Sequence, residues 1–129
     1  MTIKFKSQEK AQPGVAGGGV KKHYATIVLD GEATIDDLVK DIEKFSSLTE
    51  PDIRGVIIAL ENSIQTKLSE GKIVRLEKLG SLYPAISSTG VEKAEDVTSA
   101  IIKEAYINYR PGERLIKTLN DSGFVKVSQ

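Results

Sequence analysis

The chain has 129 residues, of which 40% are hydrophobic, no cysteine, and a formal charge of zero from 18 basic and 18 acidic side chains. This length suits one compact domain, and the missing cysteines exclude disulfides, thiolate metal sites and a cysteine nucleophile. No run approaches the roughly 18 apolar residues of a membrane helix, and the first ten residues do not form an apolar signal core, so we expect a soluble cytoplasmic protein.

The N-terminal segment predicts two strands joined by a loop. Residues 2–7 alternate hydrophobic and polar side chains, which is typical of a short strand, and we expect this strand to lie at a sheet edge. Residues 12–19, QPGVAGGG, form a loop by composition. Residues 24–29, YATIVL, predict a buried strand that ends in a turn at residues 30–31.

Two amphipathic helices follow these strands. Hydrophobic residues recur at helical spacing from Ile35 to Phe45, with Thr34 as N-cap and aspartates in the first turn. A second helix is predicted to begin at Thr49 and to stop at Gly71. Ile58 widens its apolar stripe beyond one face, so we expect this helix to contact a partner subunit as well as the first helix.

The rest of the chain predicts three strands, one short helix and a closing strand. The predicted strands are residues 72–76, 81–86, 100–109 and 124–127, and the helix opens at Pro111 and ends at residues 120–123. Because helices and strands are largely segregated along the chain, the order indicates an α+β fold.

Two motifs resemble the HU and integration host factor family of bacterial histone-like proteins. After the two helices, residues 71–82 read GKIVRLEKLGSL, similar to the family's glycine, charged strand, second glycine and second strand. Residues 109–115, YRPGERL, look like the family's aromatic-Arg-Pro-Gly motif before the last helix. The resemblance covers roughly residues 34–121. It implies two helices, a three-stranded antiparallel sheet with an arm, a C-terminal helix and an intertwined dimer that binds DNA.

The start of the last helix suits an anion. Free N–H groups and the positive end of the helix dipole point outward there, and Arg110 and Arg114 flank that end. A phosphate oxygen would gain charge-assisted hydrogen bonds, and Lys117 lies one turn further along. The alternative is that both arginines pair with neighbouring carboxylates such as Glu113.

The arm departs from the family pattern. The family's arms are basic with a proline at the tip, and they wedge apolar residues into the minor groove. Residues 87–100, SSTGVEKAEDVTSA, hold one lysine against three acids and no proline. Strong bending of DNA is therefore in doubt. Residues 1–31 also precede the HU-like core, residues 32–129, so the whole chain resembles a divergent, extended HU-related domain.

The charge is unevenly distributed along the chain. Residues 1–24 carry five lysines and one glutamate, residues 25–70 four basic and ten acidic groups, and residues 71–129 nine basic and seven acidic groups, which gives +4, −6 and +2. One surface could then face phosphates while another repels them, although ordinary solvated faces would give the same counts.

No pattern indicates an active site. Residues 14–21, GVAGGGVK, lack the Lys-Ser/Thr that a phosphate-binding loop requires, and His23 is the only histidine. Asp36, Asp37 and Asp41 suit helix capping and a solvated face better than a metal site. We therefore expect no enzymatic activity, no cofactor, no metal, no small-molecule substrate and no membrane partner.

The sequence thus predicts a nucleoid-associated homodimer that binds duplex DNA mainly through phosphates, with little sequence specificity. An HU-fold module for protein interaction or assembly is the alternative, because the net charge is zero and the arm is acidic. The predicted DNA-contacting residues are Lys72, Arg75, Lys78, Ser81, Lys93, Arg110, Gly112, Arg114 and Lys117.

Overall fold

The computed structural model describes residues 2–12 and 14–128. These residues form an α+β structure with three α-helices and two three-stranded sheets. The chain divides into two units: a terminal unit, made of the residues up to Ala33 together with those from Thr118 onward, and a central unit, Thr34–Lys117. Within the part that the structure describes, no helix is both long and apolar enough to cross a membrane.

The terminal unit contains a sheet in the order β2-β1-β6. Strand β1 (Thr2–Lys10) pairs antiparallel with β2 (Lys22–Val28) and parallel with β6 (Gly123–Lys126). The prediction that the first strand lies at the edge is wrong, because β6 occupies its second side. The prediction that the second strand is buried is also wrong: β2 is an edge strand, and Ile27 is 55% exposed.

The two predicted helices are confirmed, and their starts are set by local hydrogen bonds. Helix α1 (Ile35–Phe45) begins with a capping box, in which the Asp37 N–H donates to Thr34 Oγ1 at 3.4 Å and the Thr34 N–H donates to Asp37 Oδ2 at 3.0 Å. The hydrogen bond from the Thr34 backbone holds the pKa of Asp37 below its ordinary value. Helix α2 (Glu50–Ser69) is capped by Thr49, whose Oγ1 accepts a hydrogen bond from the Asp52 N–H at 3.5 Å.

The central unit also contains an antiparallel sheet, in the order β3-β4-β5. Its strands are β3 (Val74–Arg75), β4 (Gly80–Ser88) and β5 (Ile102–Pro111), and helix α3 (Glu113–Asp121) follows. The prediction that Pro111 opens the last helix is wrong by two residues. Pro111 instead pairs with Gly80 as the last residue of β5.

The arm between β4 and β5 is not an extended ribbon. Its base is closed by the Thr89 N–H, which donates to the Ile101 carbonyl at 3.0 Å. Beyond that point the chain forms two short 3₁₀ turns, Ala94–Asp96 and Ser99–Ile101. Because strand pairing ends at Ser88, the arm lacks the ladder that would extend it into a groove.

The helices bury little within the chain. Among the described hydrophobic side chains only Val39 of α1 and Ile53 of α2 are buried. On α2, Val56 is 62% exposed and Leu60 is 49% exposed, although both belong to the apolar stripe that includes Ile53. Hydrophobic surface therefore remains on the helix that was expected to contact a second subunit.

Candidate nucleic-acid interface

The sheet of the central unit places three of the predicted residues in one row. Ser81 of β4 pairs with Arg75 on one side and with Arg110 on the other. Directly paired residues project from the same face of a sheet, so the two arginines flank the serine on one face. Tyr83 lies two residues further along β4 and therefore on that face too.

These side chains interact directly. The Arg75 Nη1–H donates to the Tyr83 hydroxyl at 3.2 Å and to Ser81 Oγ at 3.4 Å. The guanidinium carbons of Arg110 and Arg75 lie 4.9 and 5.7 Å from the centroid of the Tyr83 ring, within the range of cation–π attraction. We refer to Arg75, Ser81, Tyr83 and Arg110 as the arginine–tyrosine cluster.

The two arginines of the cluster affect the pKa of Tyr83. The hydrogen bond from Arg75 lowers the pKa of the Tyr83 hydroxyl, and the positive charges of Arg75 and Arg110 act in the same direction. Both arginines are exposed, whereas Tyr83 is half-buried. The ring thus holds two accessible cations beside each other.

Neither arginine of the cluster is neutralised by a carboxylate. Arg54 forms ion pairs with Asp36 and Glu50, whereas within the described residues no ion pair involves Arg75 or Arg110. The alternative that Arg110 pairs with Glu113 is therefore not what the structure shows. Two exposed guanidinium groups without a counter-charge can form charge-assisted hydrogen bonds with an anion.

The opposite face of this sheet is turned toward α2. Leu68 and Ser69 of α2 line a cavity of about 380 Å³ together with Tyr106 and three further residues of the sheet, Pro84, Ala105 and Ile107. These three sheet residues alternate with those of the cluster face, so the sheet has an apolar side against the helix and a polar side toward solvent. An anion can approach the polar side.

The other predicted contact residues are more dispersed. Lys72 forms an ion pair with Glu70 at 2.8 Å after the end of α2, Lys78 is exposed in the turn before β4, and Lys93 is exposed in the arm. Arg114 and Lys117 are exposed on α3. The structure thus brings together Arg75, Ser81 and Arg110 of the predicted set. For all nine residues, contact with DNA remains a prediction.

Gly112 has a structural role that is independent of any ligand. A Cβ atom added there would collide with the Lys78 carbonyl group and would lie 3.3 Å from the Gly80 nitrogen. Gly80 itself has φ +117°, where a side chain is strained. The Tyr109 hydroxyl fixes the same turn, since it donates to the Leu79 carbonyl at 2.6 Å. Close backbone packing therefore joins the start of α3 to the turn before β4.

We expect Gly112→Ala to destabilise the protein by about 1–3 kcal/mol, the usual cost of forcing extra atoms into a packed site. The colliding atoms belong to the backbone, which cannot turn away as a flexible side chain could. Urea unfolding followed by circular dichroism measures the change. Gly90→Ala is the matched control, because a Cβ atom at Gly90 meets nothing within 4 Å; equal stability of the two variants would contradict this role.

Tyr83 was not identified from the sequence as part of the site. The period-2 pattern of β4 places Tyr83 on the face of Ser81, but only the pairing with β3 and β5 brings both arginines to its ring. The acidic residues Asp36 and Asp37 serve the capping box and the Arg54 ion pairs, as expected for helix-start aspartates. No cluster of possible metal ligands occurs in residues 2–12 and 14–128.

Comparison with known proteins identifies the architecture. The family model HU-HIG, described as an HU domain fused to wHTH, Ig or glycine-rich motif, matches residues 1–126. No curated protein matches the chain. A crystal structure from Bacteroides vulgatus ATCC 8482, described as a "Putative bacterial DNA binding protein", is similar with a TM-score of 0.68 and 13% identity. The match covers 98% of this chain and 49% of that one, so the chain spans about half of it.

Proposed function

The chain belongs to the HU-HIG family, and from that membership we propose that it is a non-enzymatic protein that binds duplex DNA as a homodimer, mainly through phosphates. Little sequence specificity is expected, because phosphate contacts position a protein on the duplex without reading bases. The structural neighbour, which is described as DNA-binding, supports the same class of ligand. A cytoplasmic, nucleoid-associated location follows from this function.

The arginine–tyrosine cluster is the observation that carries the proposal. Its two guanidinium groups are exposed, lack a carboxylate partner among the described residues, and are held side by side by hydrogen bonds and by the Tyr83 ring. Arginine presents a planar fork of donors that matches phosphate oxygens. Because the side chains are already ordered, little conformational entropy is lost when a phosphate binds.

The exposed side chains of α2 support the homodimer. Val56 and Leu60 continue the stripe that buries Ile53, and both remain about half exposed or more in the single chain. A second copy that packs its α2 there would bury both stripes at once. In a two-fold dimer every cluster residue occurs twice, so the dimer presents four cluster arginines.

The arm favours phosphate binding by the body of the dimer over intercalation. It contains Glu92, Glu95 and Asp96, which phosphates would repel, and its 3₁₀ turns leave no paired ribbon to enter the minor groove. We propose that Lys78, Arg114 and Lys117 extend the contact made by the cluster. Lys93 then contributes less than these residues, because acidic neighbours surround it in the sequence.

A salt titration tests the proposal directly. If each of the four cluster arginines neutralises one phosphate, a plot of log Kobs against the logarithm of the salt concentration should have a slope of about −3.6 or steeper. Fluorescence anisotropy with a labelled random duplex, between 50 and 200 mM salt, gives this slope. Failure to bind at the lowest salt would reject the proposal.

The second candidate function is a protein-interaction or assembly module on the same fold. The zero net charge and the acidic arm favour it. Recovery of one defined protein partner that survives nuclease treatment, combined with no affinity for duplex DNA, would support this function over DNA binding.

A further inference from the structure

The sheet of the terminal unit has one face rich in lysine. The even-numbered residues of β1 project from it, and the pairing adds Lys22, Tyr24 and Thr26 of β2, since Lys10 pairs with Lys22, Gln8 with Tyr24 and Lys6 with Thr26. We name Lys4, Lys6, Lys10 and Lys22 the lysine face. All four are exposed.

The opposite face of this sheet carries hydrophobic side chains near the start of β1. It carries Ile3 and Phe5 of β1, and the pairing places Ile27 and Phe124 beside them. When a sheet has one apolar and one polar side, the apolar side is commonly buried and the polar side faces water. The lysine face is itself accessible, because all four of its lysines are exposed.

The arrangement of these lysines does not stabilise the sheet by itself. Lys10 lies directly opposite Lys22, and like charges in a cross-strand pair are destabilising. Lysines that protect a sheet edge from aggregation lie along an unpaired edge, whereas Lys4 lies between β2 and β6. Within the described residues the one ion pair of this set joins Lys4 to Asp30, at 3.6 Å. A bound polyanion would offset the remaining repulsion.

We propose that the lysine face is a second nucleic-acid-binding surface, separate from the arginine–tyrosine cluster. Lysines two residues apart on a strand are spaced about 6.8 Å, so β1 forms a row of cations able to follow a phosphate backbone. Tyr24 is 39% exposed beside this row and offers an aromatic ring for stacking, and Gln8 and Thr26, joined by a 2.7 Å hydrogen bond, offer polar groups. Aromatic and polar groups among the lysines favour nucleic acid over an anionic membrane.

This inference shares the ligand class of the proposed function but not its residues. The two proposals can be tested separately by chemical acetylation of the lysines in the full chain, with and without random duplex DNA at low salt. Mass spectrometry then gives the acetylation rate of each lysine. We expect DNA to slow acetylation of the lysine face at least about threefold and to leave Lys40 and Lys44 of α1 unchanged. Protection of Lys78 reports separately on the central unit. Unchanged rates for the whole lysine face overturn the inference, whatever happens at Lys78.

A charge-neutralising variant provides the second measurement. We expect K6Q/K10Q/K22Q to make the salt slope less negative by about 0.9 for each lysine that contacts a phosphate. K40Q/K44Q/K67Q, which removes the same charge from the helices, should keep the wild-type slope. In R75E/R110E, protection of the lysine face should persist at low salt and at a DNA concentration that saturates this variant. Equal slopes for the two lysine variants, or protection by anionic phospholipid vesicles and not by DNA, overturn the assignment.

Discussion

Replacing both Arg75 and Arg110 by glutamate will lower the affinity for duplex DNA by at least about a hundredfold at 100 mM salt. A hydrogen bond to a charged group contributes roughly 1.5–3 kcal/mol, and the loss of two such bonds per chain amounts to about 3 kcal/mol or more. Glutamate also adds repulsion against phosphates. Fluorescence anisotropy at constant salt measures this loss.

The fold should tolerate this change, since both arginines are exposed and, among the described residues, the contacts of their side chains are with Ser81 and Tyr83. K40E/K44E is the matched control, because it makes the same change in net charge on α1, away from the cluster. If the two double variants bind duplex equally weakly, the loss reflects net charge and the cluster is not the contact site. If R75E/R110E binds like the wild type, the cluster has no part in binding.

Val56→Asp together with Leu60→Asp is expected to abolish the proposed homodimer and with it the cooperative fold. A single chain buries only Val39 and Ile53 among its described hydrophobic side chains, too small a core for this length. Carboxylates in the subunit interface would each cost several kcal/mol of desolvation. Sedimentation velocity and thermal melts at micromolar concentration should show a monomer that is largely unfolded.

Two observations check this second prediction. Gln65 lies about two and a half turns after Val56 and therefore on the opposite face of α2, so Gln65→Asp should leave the dimer intact. The melting temperature of the wild type should rise with protein concentration, because folding and association are coupled. The prediction is contradicted if the wild-type melting temperature does not depend on protein concentration and the double variant melts like the wild type. Together these results would show that the chain folds as a monomer.

Local chemistry made α1 and α2 predictable. Thr34 and Thr49 each accept a hydrogen bond from a backbone N–H three residues later, and Gly71 follows α2 with φ +79°, a conformation that glycine adopts easily. These signals lie within a few residues of the boundary that they set. The same holds for the HU-like motifs at residues 71–82 and 109–115, which predicted the family from sequence.

Strand position was less predictable, because it depends on partners distant in the sequence. Strand β1 was expected at an edge, yet β6, more than 110 residues later, occupies its second side. Its alternating pattern shows that one face is apolar, but it does not show how many neighbours the strand has. The same pairing gathers the lysine face from β1 and β2.

The sequence by itself determined the helices, the α+β class, the family and the cationic residues, since each depends on local propensity or on a short motif. Only the tertiary structure decided which cations act together. Arg75 and Arg110 are 35 positions apart, and they share the ring of Tyr83 because β4 pairs with both of their strands. Strand register, a long-range property that no short segment encodes, places the charges on a common face.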